Sequence, residues 1–260
     1  MSLFDRAFDR ERDAAIVTGA GNGIGRAIAL ALVGEGVRTV FADIGADRVR
    51  DATSAASNPA LAIAWSGDLA ERAECERLLA DARARLGLIT LFVHGASPPR
   101  REQDHLLAVG DETWMRMRAV NLDAGFHLGR ELAKSLIAAK SPGSMLYLTS
   151  LHAQTPRNLP HYSTAKAGMA ILVKEMARML GQHAIRVNAL VPGAIAAGGF
   201  VADPALARHI PLGRLGEAAD LAPMALAVLS HRIGGYVSGA SIVVDGGLAL
   251  TNWFDPPEFA

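Results

Sequence analysis

Cysteine occurs once in these 260 residues, at Cys75, so no disulfide can form within the chain. A lone thiol in a polar helical pattern suits a reducing, cytoplasmic compartment. Charge of one sign is not in surplus either. The 26 basic and 26 acidic residues cancel, which gives no footprint for nucleic acid or a membrane surface. No uncharged apolar run reaches the ~18 residues of a membrane span without Pro or Gly interrupting it. Met1 to Asp13 is rich in Asp, Arg and Glu and has no apolar signal-peptide core. The eight histidines are scattered, so a metal centre is not expected, and there is no internal repeat or low-complexity linker. What remains is a chain that is 50% hydrophobic, long enough to bury a substantial core. One domain spanning residues 1–260 is the economical expectation.

Tyrosine and lysine are scarce too, three and four in all, yet Tyr162 and Lys166 stand four apart at the start of a long helical pattern. On a helix such residues share a face, so phenol and ammonium can enter one site. A free phenol titrates near ~10 and is a poor base at neutral pH. A neighbouring cation favours the phenolate. Ser150, at the end of the apolar run before this helix, is placed to hydrogen-bond a reacting oxygen. The pair alone is weak, since a core tyrosine beside a solvated lysine would give the same spacing. It needs an independent signal.

That signal lies near the beginning. Ala14 to Val17 reads as a buried strand and runs into Thr18-Gly19-Ala20-Gly21-Asn22-Gly23-Ile24-Gly25, followed by a helical pattern. Glycines permit the tight turn and let backbone approach a pyrophosphate at a helix N-terminus. A second strand, Val37 to Ala42, ends in Asp43, 18 residues beyond Gly25, where an acid would take the adenosine ribose hydroxyls. A 2′-phosphate would meet like charge there, and no base follows at Ile44 or Gly45. NAD is therefore expected over NADP. The alternative is that Asp43 caps the next helix. Further strands are predicted over Leu61–Trp65, Ile89–Val93, Ser144–Thr149, Ile185–Val191 and Ser241–Val244. Helices are predicted over Glu71–Leu86, about Trp114–Ala139, Tyr162–Gln182 and Glu217–Leu229. This alternation implies an α/β fold, a doubly wound, Rossmann-like parallel sheet of about seven strands with helices on both faces.

Over nearly its full length the chain resembles the short-chain dehydrogenase/reductase family. Thr18-Gly19-x-x-x-Gly23-x-Gly25 resembles that family's cofactor turn and Tyr162-x-x-x-Lys166 its catalytic pair. By resemblance, Asp68 and Leu69 lie against the adenine, Asn121 holds a proton-relay water, and Ser150 is the catalytic serine. Pro192-Gly193-x-Ile195 resembles the nicotinamide-side loop, and Val244-Asp245-Gly246-Gly247 closes the C-terminal signature. The resemblance thus implies catalytic Ser150, Tyr162, Lys166 and Asn121. The implied cofactor site comprises Gly19, Asn22, Gly23, Ile24, Gly25, Asp43, Asp68, Leu69, Ala96, Pro192, Gly193 and Ile195, with Tyr162 and Lys166. Three departures stand out. His94-Gly95-Ala96-Ser97 replaces the usual Asn-Asn-Ala-Gly, which puts the usual hydrogen bonding of the central sheet in question. Ala197 replaces a threonine that often contacts the cofactor. Ser150 lies 12 residues before Tyr162 where many members have 13, so Thr149 competes for its role, with Ser150 preferred.

The implied reaction is hydride transfer between NAD(H) and a secondary alcohol or ketone. A sugar, polyol or hydroxy acid is the first expectation for the substrate, with His152 and His161 flanking the pocket. A 3-oxoacyl thioester, with Arg100 and Arg101 as phosphate contacts, is the alternative; those arginines also read as a solvated loop. A redox-silent NAD-binding sensor is the alternative of another class. Apolar residues ring the helix from Met169 to Leu180, which predicts a partner subunit, and the family resemblance implies a homotetramer. Trp253 and Phe254 of the tail are expected either to pack across that interface or to plug their own subunit.

Overall fold

The computed structural model of the chain describes residues 7–101, 103–197 and 204–250. Seven parallel strands lie in the order β3-β2-β1-β4-β5-β6-β7. They are β1 (Ala14–Thr18), β2 (Arg38–Asp43), β3 (Ala62–Ser66), β4 (Leu91–His94), β5 (Gly143–Leu148), β6 (Ile185–Pro192) and β7 (Ser241–Val244). Successive side chains of a strand face opposite sides, and here both sides are apolar. In β1, Ala14 and Ile16 join one core cluster, while Ala15 and Val17 join the other. Both faces are therefore covered, as a parallel sheet requires. One cluster takes Leu78 and Leu79 of α3 (Arg72–Leu86), Leu128 and Leu132 of α5 (Ala124–Ala138), and Met169 and Val173 of α6 (Pro160–Leu180). The other takes Ile28 and Leu32 of α1 (Gly23–Gly34), Ala52 of α2 (Ala46–Ser54), and Leu221 and Ala225 of α7 (Ala218–Leu229). Cys75 is buried in α3, where its thiol faces the Leu69 carbonyl oxygen at 3.5 Å and burial pushes it up to about 11.

Several strands run one residue past their apolar stretch, through Thr18, Asp43, Ser66, His94 and Pro192. Ladder pairing needs only backbone, so a polar residue closes the strand without breaking it. Those last residues point the chemistry out of the C-terminal edge of the sheet. The crevice between β1 and β4, where the connections diverge, lies at that edge.

The helix expected over Trp114–Ala139 begins earlier and is not regular. Here α4 (Asp111–Arg118) passes through a π-helical turn, Ala119–Asp123, into α5. A π turn inserts one extra residue into the helical ladder. It leaves Asn121 completely buried and presents backbone carbonyls to the sheet. His94 receives them. Its Nε2 lies 3.1 Å from the Val120 carbonyl and 3.0 Å from that of Asn121, and its Nδ1 lies 3.0 Å from Thr18 Oγ1. The two carbonyls can only accept, so Nε2 carries the proton and Nδ1 accepts from the threonine hydroxyl. Thr18 Oγ1 in turn accepts from Gly95 N and Ala96 N. The departure at residues 94–97 therefore does not leave the central sheet untied: an imidazole joins β1, β4 and the π turn.

Candidate active site

The glycine turn leaves β1 at its C-terminal end and enters α1 at Gly23. Gly19 has φ +70°, and a Cβ there would lie 2.7 Å from the Gly95 carbonyl oxygen. Gly23 has φ +56°, and a Cβ at Gly25 would strike the Gly19 carbonyl. The turn is thus packed against itself and against the loop after β4, which also carries Ala96. Asn22, in extended conformation, makes no side-chain cap, and α1 has no acid in its first turn. The positive end of the helix is left to an anionic group, with Ile24 beside it. These residues fit a dinucleotide pyrophosphate.

Asp43, at the end of β2, is nearly buried. Its Oδ2 accepts from Gly21 N at 3.2 Å, and its Oδ1 accepts from Gly45 N at 2.9 Å and from Arg48 Nη2 at 2.6 Å. The absence of a base at Ile44 and Gly45 is thus not an absence in space, since Arg48 of α2 reaches the carboxylate. Asp68 stands at the end of the β3 connection and is held by Arg116 of α4 at 2.6 and 2.9 Å, and by Ala70 N. Partial burial opposes ionisation of Asp68, but the bonds and charge of Arg116 hold its carboxyl below the usual range. Leu69 is buried in the core beside Cys75.

The second half of the site is built by β5, α6 and the π turn. Tyr162 is the third residue of α6 and is almost buried, in a cluster with Met117, Leu159 and Ala165. Pro160 in the first turn of the helix fixes where the phenol enters. One turn on, Lys166 Nζ donates to the Leu148 carbonyl at 2.7 Å and lies 5.6 Å from the Tyr162 ring centroid. Burial, assisted by the Arg100 charge, lowers the Lys166 ammonium to about 7. Asn121 Nδ2 donates to the Met117 carbonyl, and its Oδ1 is buried with no protein partner among the described residues. Met117 therefore contacts both the phenol cluster and the asparagine. Ser150 ends the β5 connection, and its Oγ accepts from His152 N at 3.3 Å, capping the turn Leu151–Ala153. Its own proton remains available to another acceptor. Thr149 Oγ1 instead donates to the Leu190 carbonyl in the sheet.

Pro192 closes β6 against Val244, and a Cβ at Gly193 would lie 2.6 Å from Asp245 Cβ, so the loop and the C-terminal signature touch there. Ile195 is buried and bridges to Gly216. The part of this loop from Gly198 to Asp203 lies outside the described residues. Arg100 is not a remote loop residue. Its guanidinium sits 4.9 Å from the Tyr162 ring centroid, and the His152 ring meets the same phenol edge-on at 5.2 Å. Burial, then Arg100 and Arg157, lower His152 to about 4, so it is neutral at physiological pH. His161 is buried on the Asp104 side, with Nε2 3.9 Å from that carboxylate. Arg48 and Arg116 went unread in the sequence. An acid at a strand end with a base in the first turn of the next helix was the available sign for Arg48. No group of side chains that could hold a metal ion occurs among the described residues.

A family model described as Enoyl-(Acyl carrier protein) reductase matches residues 19–249. A (3R)-3-hydroxyacyl-CoA dehydrogenase of Rattus norvegicus is 32% identical over 91% of this chain and 96% of its own. An L-rhamnose 1-dehydrogenase (NAD(P)(+)) of Azotobacter vinelandii is 32% identical over 90% and 95%. Among solved structures, a 3-ketoacyl-(acyl-carrier-protein) reductase from Brucella melitensis complexed with NADH superposes with a TM-score of 0.86. It is 25% identical, over 93% of this chain and 100% of that one. The fold and these matches define an oxidoreductase built on a Rossmann-like sheet. The chain belongs to the short-chain dehydrogenase/reductase family, whose members here act on secondary alcohols and ketones.

Proposed function

We propose that the protein interconverts a secondary alcohol and a ketone with NAD(H), on a small hydroxylated substrate such as a sugar, polyol or hydroxy acid. The observation that carries this is the convergence of Tyr162, Lys166 and Ser150 at the sheet edge that also holds the glycine turn. Bound nicotinamide would supply the hydride acceptor or donor. Tyr162 takes the alcohol proton, or returns it to the ketone oxygen. Lys166, fixed by the Leu148 carbonyl, places its charge beside the phenol when protonated. Burial strengthens that field but also lowers the ammonium to about 7, so the cation is favoured once a negative phenolate forms beside it. Ser150 donates to the substrate oxygen. Asn121 Oδ1 is the acceptor that a proton relay through water would use.

A 3-oxoacyl or hydroxyacyl thioester is the second reading, supported by Arg100 over the Tyr162 ring and by the name of the rat relative. Asp43 supports NAD as the favoured cofactor. The assembly we propose is a homotetramer, and a reducing, cytoplasmic setting fits the single buried thiol. No helix of the described residues is long and apolar enough to cross a membrane.

Turnover across a panel of sugars, hydroxy acids and acyl thioesters, with NAD and with NADP, tests the reading. Tyr162→Phe should leave no more than a few per cent of activity while NADH affinity stays within a few-fold. Ser150→Ala should slow turnover far more than Thr149→Ala. Dinucleotide binding with no turnover on any substrate would replace the enzyme by a redox-silent sensor.

A further inference from the structure

Arg48 is the third residue of α2, in the first turn, where the helix dipole disfavours a cation. Its guanidinium nonetheless lies back over the start of that helix, against Asp43 Oδ1 at 2.6 Å. The side chain also runs along the turn itself. A Cβ at Gly45 would lie 2.6 Å from Arg48 Cζ, and one at Gly21 would lie 2.9 Å from Arg48 Cβ and 2.8 Å from Asp43 Cγ. Glycine at both positions is what lets the arginine, the carboxylate and the phosphate-binding turn share one place.

A lone-pair count shows what this arrangement does. Each carboxylate oxygen offers about two acceptor directions. Both of those on Oδ1 are used, by Gly45 N and Arg48, and one of those on Oδ2 is used by Gly21 N. A single direction is left, whereas the two ribose hydroxyls of NAD bring two donors. Holding both requires Arg48 to leave Oδ1. The arginine end can do so because its side chain is 49% exposed and water can take up the guanidinium. The carboxylate, only 9% exposed, would exchange that bond for those of the incoming ribose hydroxyls. A guanidinium swung off Oδ1 would stay beside the end of β2 and the turn at Gly21 and Gly45, where the cofactor reading puts the adenosine ribose. Arg pairs with phosphate in two parallel charge-assisted bonds.

Building on the cofactor reading above, we propose that Arg48 is a cofactor-selectivity residue with two positions. It leaves Asp43 free for the ribose hydroxyls of NAD, and it screens Asp43 from, and binds, the 2′-phosphate of NADP. Asp43 alone would exclude NADP. The pair Asp43–Arg48 favours NAD but tolerates NADP.

The test is binding, measured by calorimetry without substrate. NADH, NADPH, 5′-ADP and 2′,5′-ADP are titrated into the wild type, Arg48→Met and Arg48→Lys. Methionine keeps the side chain's length along Gly21 and Gly45 and removes its charge. Wild type should bind NADH and NADPH within roughly tenfold of each other. Arg48→Met should weaken NADPH and 2′,5′-ADP by at least roughly tenfold, the loss of a charge-assisted pair. It should leave NADH and 5′-ADP unchanged or a few-fold tighter. Arg48→Lys should fall between, since a point charge cannot make the paired bonds. An unchanged NADPH-to-NADH ratio in Arg48→Met overturns the role of Arg48 and leaves the cofactor reading standing. Failure of the wild type to bind either dinucleotide overturns both.

Discussion

At the scale of single residues, His94 shows how one side chain can replace a motif. The imidazole satisfies Thr18 and two carbonyls of the π turn, stacks on Phe92 and meets the Tyr147 ring at a tilt. Burial first, and the Lys166 charge second, lower it to about 4. The folded state thus resists protonation that the unfolded chain accepts near ~6.5. Stability from this group is complete above that value and is lost as pH falls through about 4. His94→Leu would leave buried polar partners unmet and should cost about 2–4 kcal/mol at pH 7. Part of the acid sensitivity between pH 6.5 and 4 should disappear with it. His94→Asn keeps a donor and should lose less. Urea denaturation across that pH range measures both effects, and an unchanged pH slope in His94→Leu would remove the imidazole from the account.

At the scale of elements, α5 lies so close to the sheet that its glycines have no room for a methyl group. A Cβ at Gly129 would run into Tyr147 Oη and come within 2.9 Å of Met176 Cε. That hydroxyl is itself bound to the Gly125 carbonyl at 3.0 Å. Gly129→Ala gains about 1 kcal/mol of helix propensity, but overpacking costs about 1–3 kcal/mol. The midpoint of thermal unfolding should fall by a few degrees, and a rise would show that α5 can shift. Elements were also where the sequence was most and least legible. The strand, glycine turn and helix of residues 14–34, and Asp43 beyond them, are local in the chain, so their pattern alone placed them. The Tyr162–Lys166 spacing is local for the same reason. The π turn was hidden because apolar residues keep their helical rhythm through Ala119–Asp123, so one extra residue leaves no mark. The contacts of His94 with residues 26 and 27 further on, and of Arg116 with Asp68, depend on packing that no short spacing encodes. Arg48 leaves no mark in the two residues directly after Asp43, because it is a helical turn that brings the fifth one back to the carboxylate.

At the scale of the molecule, the proposed tetramer rests on exposed apolar side chains of α5 and α6. Met169 and Val173 of α6 face the sheet, while Ile171 and Met179 are 57% and 70% exposed on its outer side. Phe126 and Ile137 of α5 are exposed as well. Such apolar positions on neighbouring helices suit burial against further copies of the chain. Light scattering at micromolar concentration should give about four times the 27.3 kDa chain mass. Glutamate at both 171 and 179 should shift the protein to smaller species, and a monomeric mass for the wild type would refute the assembly. The expectations for Trp253 and Phe254 fall outside the described residues. Cys75 has a consequence of another kind. Its thiol is sealed inside α3 and holds its proton to about 11, so a thiol-specific dye should find almost nothing to attack while the fold is intact. The chain carries no second cysteine to confuse the signal. Labelling then becomes a clock for opening of the structure, and a cysteine introduced elsewhere on the surface would be the sole address for a chemical probe.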